Sequence, residues 1–321
     1  MKKSQPQFDV RHTMKDRPVE RLILQHHTLG EIVKFIALIG AYVLIWPRFV
    51  APYRWRLARY DMPLKNLGAP FDRYRMLQLA DLHTGKVRQS YLKEVIKQSI
   101  IEQPDLIVLT GDLIDYQPAA LEKLDELLQL LHAPDGVVAI FGNHDYHEYS
   151  WRHVGPRSRH RSIHKRLRTL LARRGVKLLC NQSLTLKRES AQLRLVGIDE
   201  LWAEMADPAA AFAGVSPDEA CICLQHNPDG ATLFQEFPWQ WMLSGHTHGG
   251  QVNLPFLGPL FVPMENRRFM RGLFELPNPN GSARKMYVST GVGHGTPVRF
   301  RVAPEAVLFT LRIQSPGIII R

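Results

Sequence analysis

The chain has 321 residues, 45% hydrophobic and 22% charged, enough length and apolar content for one large folded domain with appendages. Lys and Arg outnumber Asp and Glu by 41 to 30, a formal charge of +11, so anionic partners are favoured without a choice among phosphates, nucleic acid and lipid headgroups. The cysteines Cys180, Cys221 and Cys223 form no C-x-x-C pair and no even set, so neither a disulfide scaffold nor a thiolate zinc site is indicated.

Residues 1–60 are expected to be an N-terminal tail carrying an apolar, membrane-contacting segment. Ile32 to Trp46 is apolar apart from Lys34, and Pro47 and Arg48 interrupt before Phe49-Val50-Ala51. The stretch is shorter than the roughly 20 residues that cross a bilayer comfortably, so residues 32–51 leave open a tight span, a re-entrant piece or an interfacial helix. A helix packed on the folded body of the chain is the competing structural reading. About thirty mixed polar residues precede it, which argues for a retained anchor over a cleaved signal. Basic residues stand on both sides, Arg21 and Lys34 before and Arg48 and Arg54 after, so the positive-inside rule gives no clear orientation.

Residues 61–321 read as one α/β domain. Arg75 to Ala80 is expected as a strand, Tyr91 to Gln103 as an amphipathic helix, and Asp105 to Leu109 as a strand. Leu121 to His132 follows as a Leu-rich helix and Gly136 to Phe141 as the third strand. The insert 151–177 then carries ten Arg or Lys and no acid. In it Ile163, Leu167, Leu170 and Leu171 give a packing face, with Arg161, Lys165, Arg166, Arg168 and Arg173 outward. Arg152, Arg157 and Arg159 are candidates for substrate binding, a solvated helix face being the alternative. Runs at Leu193–Ile198, Ala220–Leu224, Trp239–Leu243, Met286–Ser289 and Ala306–Leu311 suggest a second sheet packed on the first. Cys221 and Cys223 alternate within one of them, as buried structural thiols do.

Five segments carry the chemistry: Asp81-Leu82-His83, Gly111-Asp112, Gly142-Asn143-His144-Asp145, His226 and Gly245-His246-Thr247-His248. Each follows an apolar run, so these side chains should gather at strand ends. Carboxylate oxygen and imidazole nitrogen suit a hard or borderline divalent ion, and a carboxylate can bridge two ions about 3.5–4 Å apart. Asp112 is the candidate bridge. Such a pair polarises a phosphoryl oxygen and lowers the pKa of a bound water, giving hydroxide for in-line attack on phosphorus. Asp115 is left between supporting a ligand and capping the next helix. His147, His153, His160, His164 and His294 read as surface or substrate-loop residues.

On these residues the chain resembles the calcineurin-like metallophosphoesterases from Asp81 to its end. Gly249-Gly250-Gln251, Asp199 to Trp202 and Pro304-Glu305 resemble a bacterial, often membrane-associated branch that includes UDP-2,3-diacylglucosamine hydrolases. The resemblance implies a four-layer α-β-β-α sandwich, two packed mixed β-sheets flanked by helices. It implies one ion on Asp81, His83, Asp112 and His248, and a second on Asp112, Asn143, His226 and His246. It implies His144 as a catalytic residue near the leaving group, with catalytic Asp145 orienting it. Two divalent metal ions are the expected cofactors, manganese as the working choice with iron or zinc as alternatives.

The implied activity is hydrolysis of a phosphodiester or pyrophosphate bond in a membrane-lipid or nucleotide-linked substrate such as UDP-2,3-diacylglucosamine. A broad-specificity phosphodiesterase or nuclease, and a non-enzymatic membrane scaffold, are the alternatives. The expected partners are a phosphate-containing small-molecule or lipid substrate and the membrane surface. Nucleic acid ranks lower, because aromatic residues for base stacking are sparse around the insert. The expected location is the inner membrane, with the catalytic body on the cytoplasmic side.

Overall fold

The computed structural model describes residues 18–115, 119–146, 157–259, 264–277 and 283–314, with the backbone alone for 18–28 and 157–162. The chain divides into two units, Met1–Trp46 and Pro47–Arg321.

Helix α1 (Pro18–Gly40) is followed by a stretch of π-type hydrogen bonding, Ala41–Val50, and a 3-10 turn, Ala51–Tyr53. The apolar stretch is longer than the sequence pattern suggested: Leu29–Tyr53 is 25 residues long, and its most apolar 18 residues have a mean hydropathy of 1.9. At 1.5 Å per residue this is about 37 Å, against about 30 Å of bilayer hydrocarbon, so the stretch is long and apolar enough to cross a membrane. Pro47 lacks an amide hydrogen and reads as a stop. It falls where the helix has already left the α register, and the helical path continues past it. Leu29, Ile32, Val33, Phe35, Ile36 and Leu38 are all exposed, the pattern of a helix that is apolar all round.

The second unit begins with β1 (Arg56–Leu64), β2 (Arg75–Leu79), α2 (Gln89–Ile100), β3 (Leu106–Thr110), α3 (Ala120–Leu128), β4 (Val137–Ile140), α4 (Arg157–Arg173) and β5 (Lys177–Leu178). It continues through β6 (Gln182–Arg188), β7 (Ala191–Gly197), α5 (Pro208–Ala211), β8 (Cys221–Leu224), α6 (Gly230–Leu233) and β9 (Trp241–Ser244). Then come β10 (Asn253–Leu254), β11 (Gly258–Pro259), β12 (Gly272–Leu276), β13 (Arg284–Val288) and β14 (Glu305–Ile313). Two six-stranded sheets result, ordered β1-β14-β2-β3-β4-β5 and β12-β13-β9-β8-β7-β6. In the first, β2 to β5 run parallel and β14 returns antiparallel to β2. In the second, β7, β8, β9 and β13 are parallel, with antiparallel β6 and β12 at the edges.

The strands are apolar on both faces, as parallel strands covered on both sides must be. Successive side chains alternate: Met76, Leu106, Val108, Val138 and Ile140 meet Leu193, Leu195, Ile222, Leu224 and Leu243 between the sheets. Their neighbours Leu77, Ile107, Leu109, Val137 and Ala139 pack with the apolar faces of α2, α3 and α4. On the outer face of the second sheet Cys221, Cys223, Met242 and Met286 lie with Phe212, Phe234 and Trp239. The four-layer sandwich is therefore present, with its fourth layer reduced to the short α5 and α6 and the aromatic side chains around them. Cys221 and Cys223 are buried thiols, as expected.

The body starts at Pro47, because β1 pairs in parallel with β14 from Arg56↔Glu305 to Leu64↔Ile313; a cut at residue 60 would halve that strand. In α4, Leu167, Leu170 and Leu171 are buried as expected. Part of the basic face is engaged within the fold: Arg166 lies 3.5 Å from Glu122 of α3, and Arg173 and Arg174 lie 3.2 and 2.6 Å from Asp125. Such exposed pairs contribute only about 0–1 kcal/mol each. Arg152 lies outside the described residues, as do the side chains of Arg157, Arg159 and Arg161.

Candidate metal centre

Asp81 follows β2, Asp112 follows β3, Asn143 follows β4, His226 follows β8, and His246 and His248 follow β9. All therefore stand at carboxyl ends of parallel strands, where open α/β sheets leave a crevice. The chain must turn sharply there. Asp81, His83, Asp112, His246 and His248 have φ of 55, 45, 52, 71 and 50°, a left-handed conformation that costs a side-chain-bearing residue about 1–2 kcal/mol. Backbone bonds between neighbouring loops hold it: Asp81 N donates to Gly111 O and His83 N to Asp112 O, both at 3.0 Å. Two glycines give the carboxylates room. A Cβ on Gly245 would lie 2.5 Å from Asp81 Oδ2, and one on Gly142 would lie 2.5 Å from the Asp112 amide nitrogen, against its carboxylate.

Two donor groups converge on Asp112. Asp81, His83, Asp112 and His248 offer ligand atoms within 4.8 Å of one another, and so do Asp112, His226 and His246. Asn143 joins the second group, its Oδ1 lying 2.9 Å from His246 Nδ1, which is 3.3 Å from His226 Nε2. Asp112 divides its oxygens, Oδ1 standing 3.3 Å from His226 Nε2 and Oδ2 3.5 Å from His83 Nε2. The structure thus brings together all seven residues expected as ligands, in the two sets the resemblance implied.

The chemistry of this donor set fits cations. Asp81 Oδ2 is buried with no hydrogen-bond partner among the described residues, a costly state for a carboxylate oxygen facing no positive charge. His83 Nε2 and His248 Nε2 face each other at 3.1 Å, an approach that needs a proton or a cation between two lone pairs. His226 Nδ1 lies 2.8 Å from Thr110 O; donating there, it leaves Nε2 turned to Asp112. Burial opposes a charge on Asp112, yet His226, the strongest attraction on it, holds it well below the ordinary carboxylate range. It is therefore ionised at neutral pH, as a bridge must be.

His144 stands beside this group, Nε2 4.0 Å from Asp112 Oδ2 and Nδ1 3.8 Å from Asp115 Oδ2. Burial lowers it to about 4 against the pull of Asp112, so the ring is neutral at pH 7. The carboxylate behind it differs from the expectation. Asp145 turns away, its Oδ1 accepting from Leu113 N and Ile114 N at 2.9 and 3.1 Å and its Oδ2 from Gly142 N at 2.9 Å. Asp145 thus ties together the loops after β3 and β4, and burial, with the Asp112 charge next, pushes it up to about 7. Asp115 is the carboxylate that faces the rings from behind, 3.5 Å from His83 Nδ1 as well as 3.8 Å from His144 Nδ1, with Lys86 Nζ 3.3 Å away. It does not cap α3, whose cap position is Ala119.

Several residues near the centre were given no individual role from the sequence. Trp202 sets its ring edge-on to His246, centroids 4.4 Å apart. Glu200 is buried, which pushes it up to about 7 against the pull of His226. Arg299 is fully buried and donates to the carbonyls of His248 and Thr290 at 3.2 and 2.8 Å. His164 is half-buried, stacked on Tyr146 at 4.1 Å, rather than a surface residue. His147 and His153 lie outside the described residues, and so does the side chain of His160.

His294 is likewise no surface residue: it is buried, and neither ring nitrogen has a hydrogen-bond partner among the described residues. Burial, with Arg299 and His83 adding repulsion, lowers it from 6.5 to about 3. Above pH 6.5 the ring is neutral whether the chain is folded or not; between 6.5 and about 3 the unfolded chain alone takes up the proton. Stability is therefore lost as pH falls through that window. His294→Phe is expected to flatten this part of a plot of thermal midpoint against pH. An unchanged slope would show that the ring is not kept neutral.

Residues 74–250 match the family described as calcineurin-like phosphoesterase. The chain is 30% identical over 323 residues to the UDP-2,3-diacylglucosamine pyrophosphatase LpxG of Chlamydia muridarum, a match covering 86% of this chain and 96% of that protein. It is 34% identical over 260 residues to the phosphodiesterase YaeI of Escherichia coli, covering 80% of this chain and 87% of that one. The solved structure of phosphopantetheinyl hydrolase (PptH) from Mycobacterium tuberculosis aligns with 77% of this chain and 100% of that one, at 11% identity and a TM-score of 0.41.

Proposed function

The chain belongs to the calcineurin-like phosphoesterase family and is a metal-dependent phosphoester hydrolase, and from that premise we propose that it cleaves a phosphodiester or pyrophosphate bond in a lipid-linked or nucleotide-linked substrate. UDP-2,3-diacylglucosamine is the specific candidate, favoured by the relative named as its pyrophosphatase and by the apolar stretch Leu29–Tyr53 in the same chain.

The observation that carries the reading is the division of the Asp112 oxygens between two donor groups. Asp81, His83, Asp112 and His248 would hold one ion, and Asp112, Asn143, His226 and His246 the other. Manganese is the working choice for this mixed imidazole, carboxylate and amide set, with iron or zinc as alternatives. Bound there, a pair of divalent ions supplies Lewis-acid polarisation of phosphoryl oxygens and an acidified water. The protein's own part is to fix geometry and to hold His144 Nε2 beside the centre, 4.0 Å from Asp112 Oδ2. A neutral imidazole there supplies a hydrogen bond rather than a full charge.

The deciding experiment is digestion of a bacterial lipid extract by the purified protein with manganese, followed by mass spectrometry. Loss of UDP-2,3-diacylglucosamine with appearance of UMP is expected. Turnover of bis-p-nitrophenyl phosphate with an unchanged lipid profile would favour the second reading, a broad-specificity phosphodiesterase, for which the relative named a phosphodiesterase speaks. A membrane scaffold without turnover is disfavoured by the completeness of the donor set.

The apolar stretch is read as an anchor in the inner membrane, with the body on the cytoplasmic face. Removal of residues 1–46, which spares β1, is expected to leave hydrolysis of the soluble ester within about twofold. Hydrolysis of a vesicle-borne lipid substrate should fall about tenfold or more, because confinement to one surface raises effective concentration. Equal losses on both substrates would mean that the segment supports folding instead.

A further inference from the structure

Strands β10 and β11 form a short hairpin in which Asn253 faces Pro259 and Leu254 faces Gly258. Its tip is Pro255-Phe256-Leu257, with Phe256 and Leu257 109% and 78% exposed. Phe256 sits at φ 66°, a left-handed conformation that is an outlier for a bulky aromatic residue. Two adjacent large apolar side chains are thus held in solvent on a strained turn.

The base of the hairpin shows what lies beside it. Asn253 N donates to Phe300 O at 3.0 Å and Phe300 N to Gln251 O at 2.8 Å. The preceding residue, Arg299, donates its backbone N–H to Pro47 O at 2.8 Å, and its guanidinium donates to His248 O. The pair Arg299-Phe300 therefore fastens the hairpin, the end of the apolar stretch and the loop that carries His248. Phe49, next to this point in sequence, is 62% exposed, and Arg48, Arg54 and Arg301 are exposed.

We propose that this hairpin is a lipid-inserting loop: Phe256 and Leu257 enter the acyl layer of the membrane, with Arg48, Arg54 and Arg301 at headgroup level. The proposal rests on the membrane reading given above and deepens it. Two apolar side chains cannot hold a protein on a bilayer alone, since even a whole acyl chain binds only marginally. Their effect is orientation. A body tethered by one helix can swing, whereas a second point of insertion beside His248 turns the metal centre toward the surface from which a lipid-linked phosphate would be taken.

The test is a collision measurement on the full-length protein, with Cys180→Ser, in phosphatidylethanolamine–phosphatidylglycerol vesicles. Nitroxides are attached at Phe256→Cys or Leu257→Cys, at Leu38→Cys in the apolar helix, and at Ser190→Cys in an exposed turn. The hairpin labels are expected to be accessible to oxygen and shielded from a water-soluble nickel chelate, like the Leu38 label and unlike the Ser190 label. Nickel access at the hairpin equal to that at Ser190 would overturn the proposal. Shielding that grows with the ratio of protein to lipid would overturn it too, by identifying a second copy as the partner. Retained hydrolysis of bis-p-nitrophenyl phosphate verifies the fold of each labelled protein. The collision measurement needs no turnover, so it stands or falls apart from the substrate assignment; a nickel-accessible Leu38 label would instead remove the membrane reading itself.

Discussion

Asp112→Asn is expected to lower kcat/KM on bis-p-nitrophenyl phosphate by about 10³-fold or more, the equivalent of several kcal/mol of Lewis-acid stabilisation at the transition state. The amide keeps the shape of the carboxylate and loses its charge. One oxygen of Asp112 faces His226 and the other faces His83, so both donor groups weaken together. Bound cation, counted by elemental analysis, should fall below two per chain. The fold should survive, because the loop around Asp112 is tied by backbone bonds such as His83 N to Asp112 O at 3.0 Å. Ordinary turnover with full cation content in the variant would defeat the bridging assignment.

Asp145→Ala is expected to act on stability first. Its carboxylate accepts from three backbone N–H groups, those of Leu113, Ile114 and Gly142, and each buried donor left unmade costs about 1–3 kcal/mol. Their sum is a large part of the roughly 5–15 kcal/mol that hold a domain folded, and should lower the thermal midpoint by about 10 °C. Asp115→Ala should show the reverse pattern, a small change in midpoint with a loss of about 10–100-fold in activity or cation affinity, as for groups that orient ligands from behind. Calorimetry and kinetics on the two variants decide the matter. A stable but inactive Asp145→Ala protein would return the orienting role to Asp145.

The parts of the fold that were legible in the sequence are those where local pattern and tertiary role coincide. The strands before Asp81, Asp112 and Asn143 are buried on both faces and read as apolar runs, so each ligand could be placed at a strand end from sequence alone. β1 was hidden because Arg56, Arg59 and Asp61 break its apolar pattern; it is an edge strand with one exposed side. The apolar helix looked short because Pro47 reads as a stop in an α register that the chain has already left. Arg299 and His294 carry no local signal of burial, since what covers them arrives from distant loops. Asp145 illustrates a further limit. Its neighbour His144 is visible in the sequence, while the main-chain N–H groups that it binds belong to no residue type and leave no mark in it.

The two glycines set against the carboxylates have a bearing on any mutational scan of this region. Gly142 and Gly245 bear no reactive group, yet a methyl at either would fall on Asp112 or Asp81. Alanine there should be as damaging as loss of a ligand, and a tally of inactive variants would enrol both among the chemical participants. Separating empty space that must stay empty from atoms that react requires cation binding to be measured beside turnover.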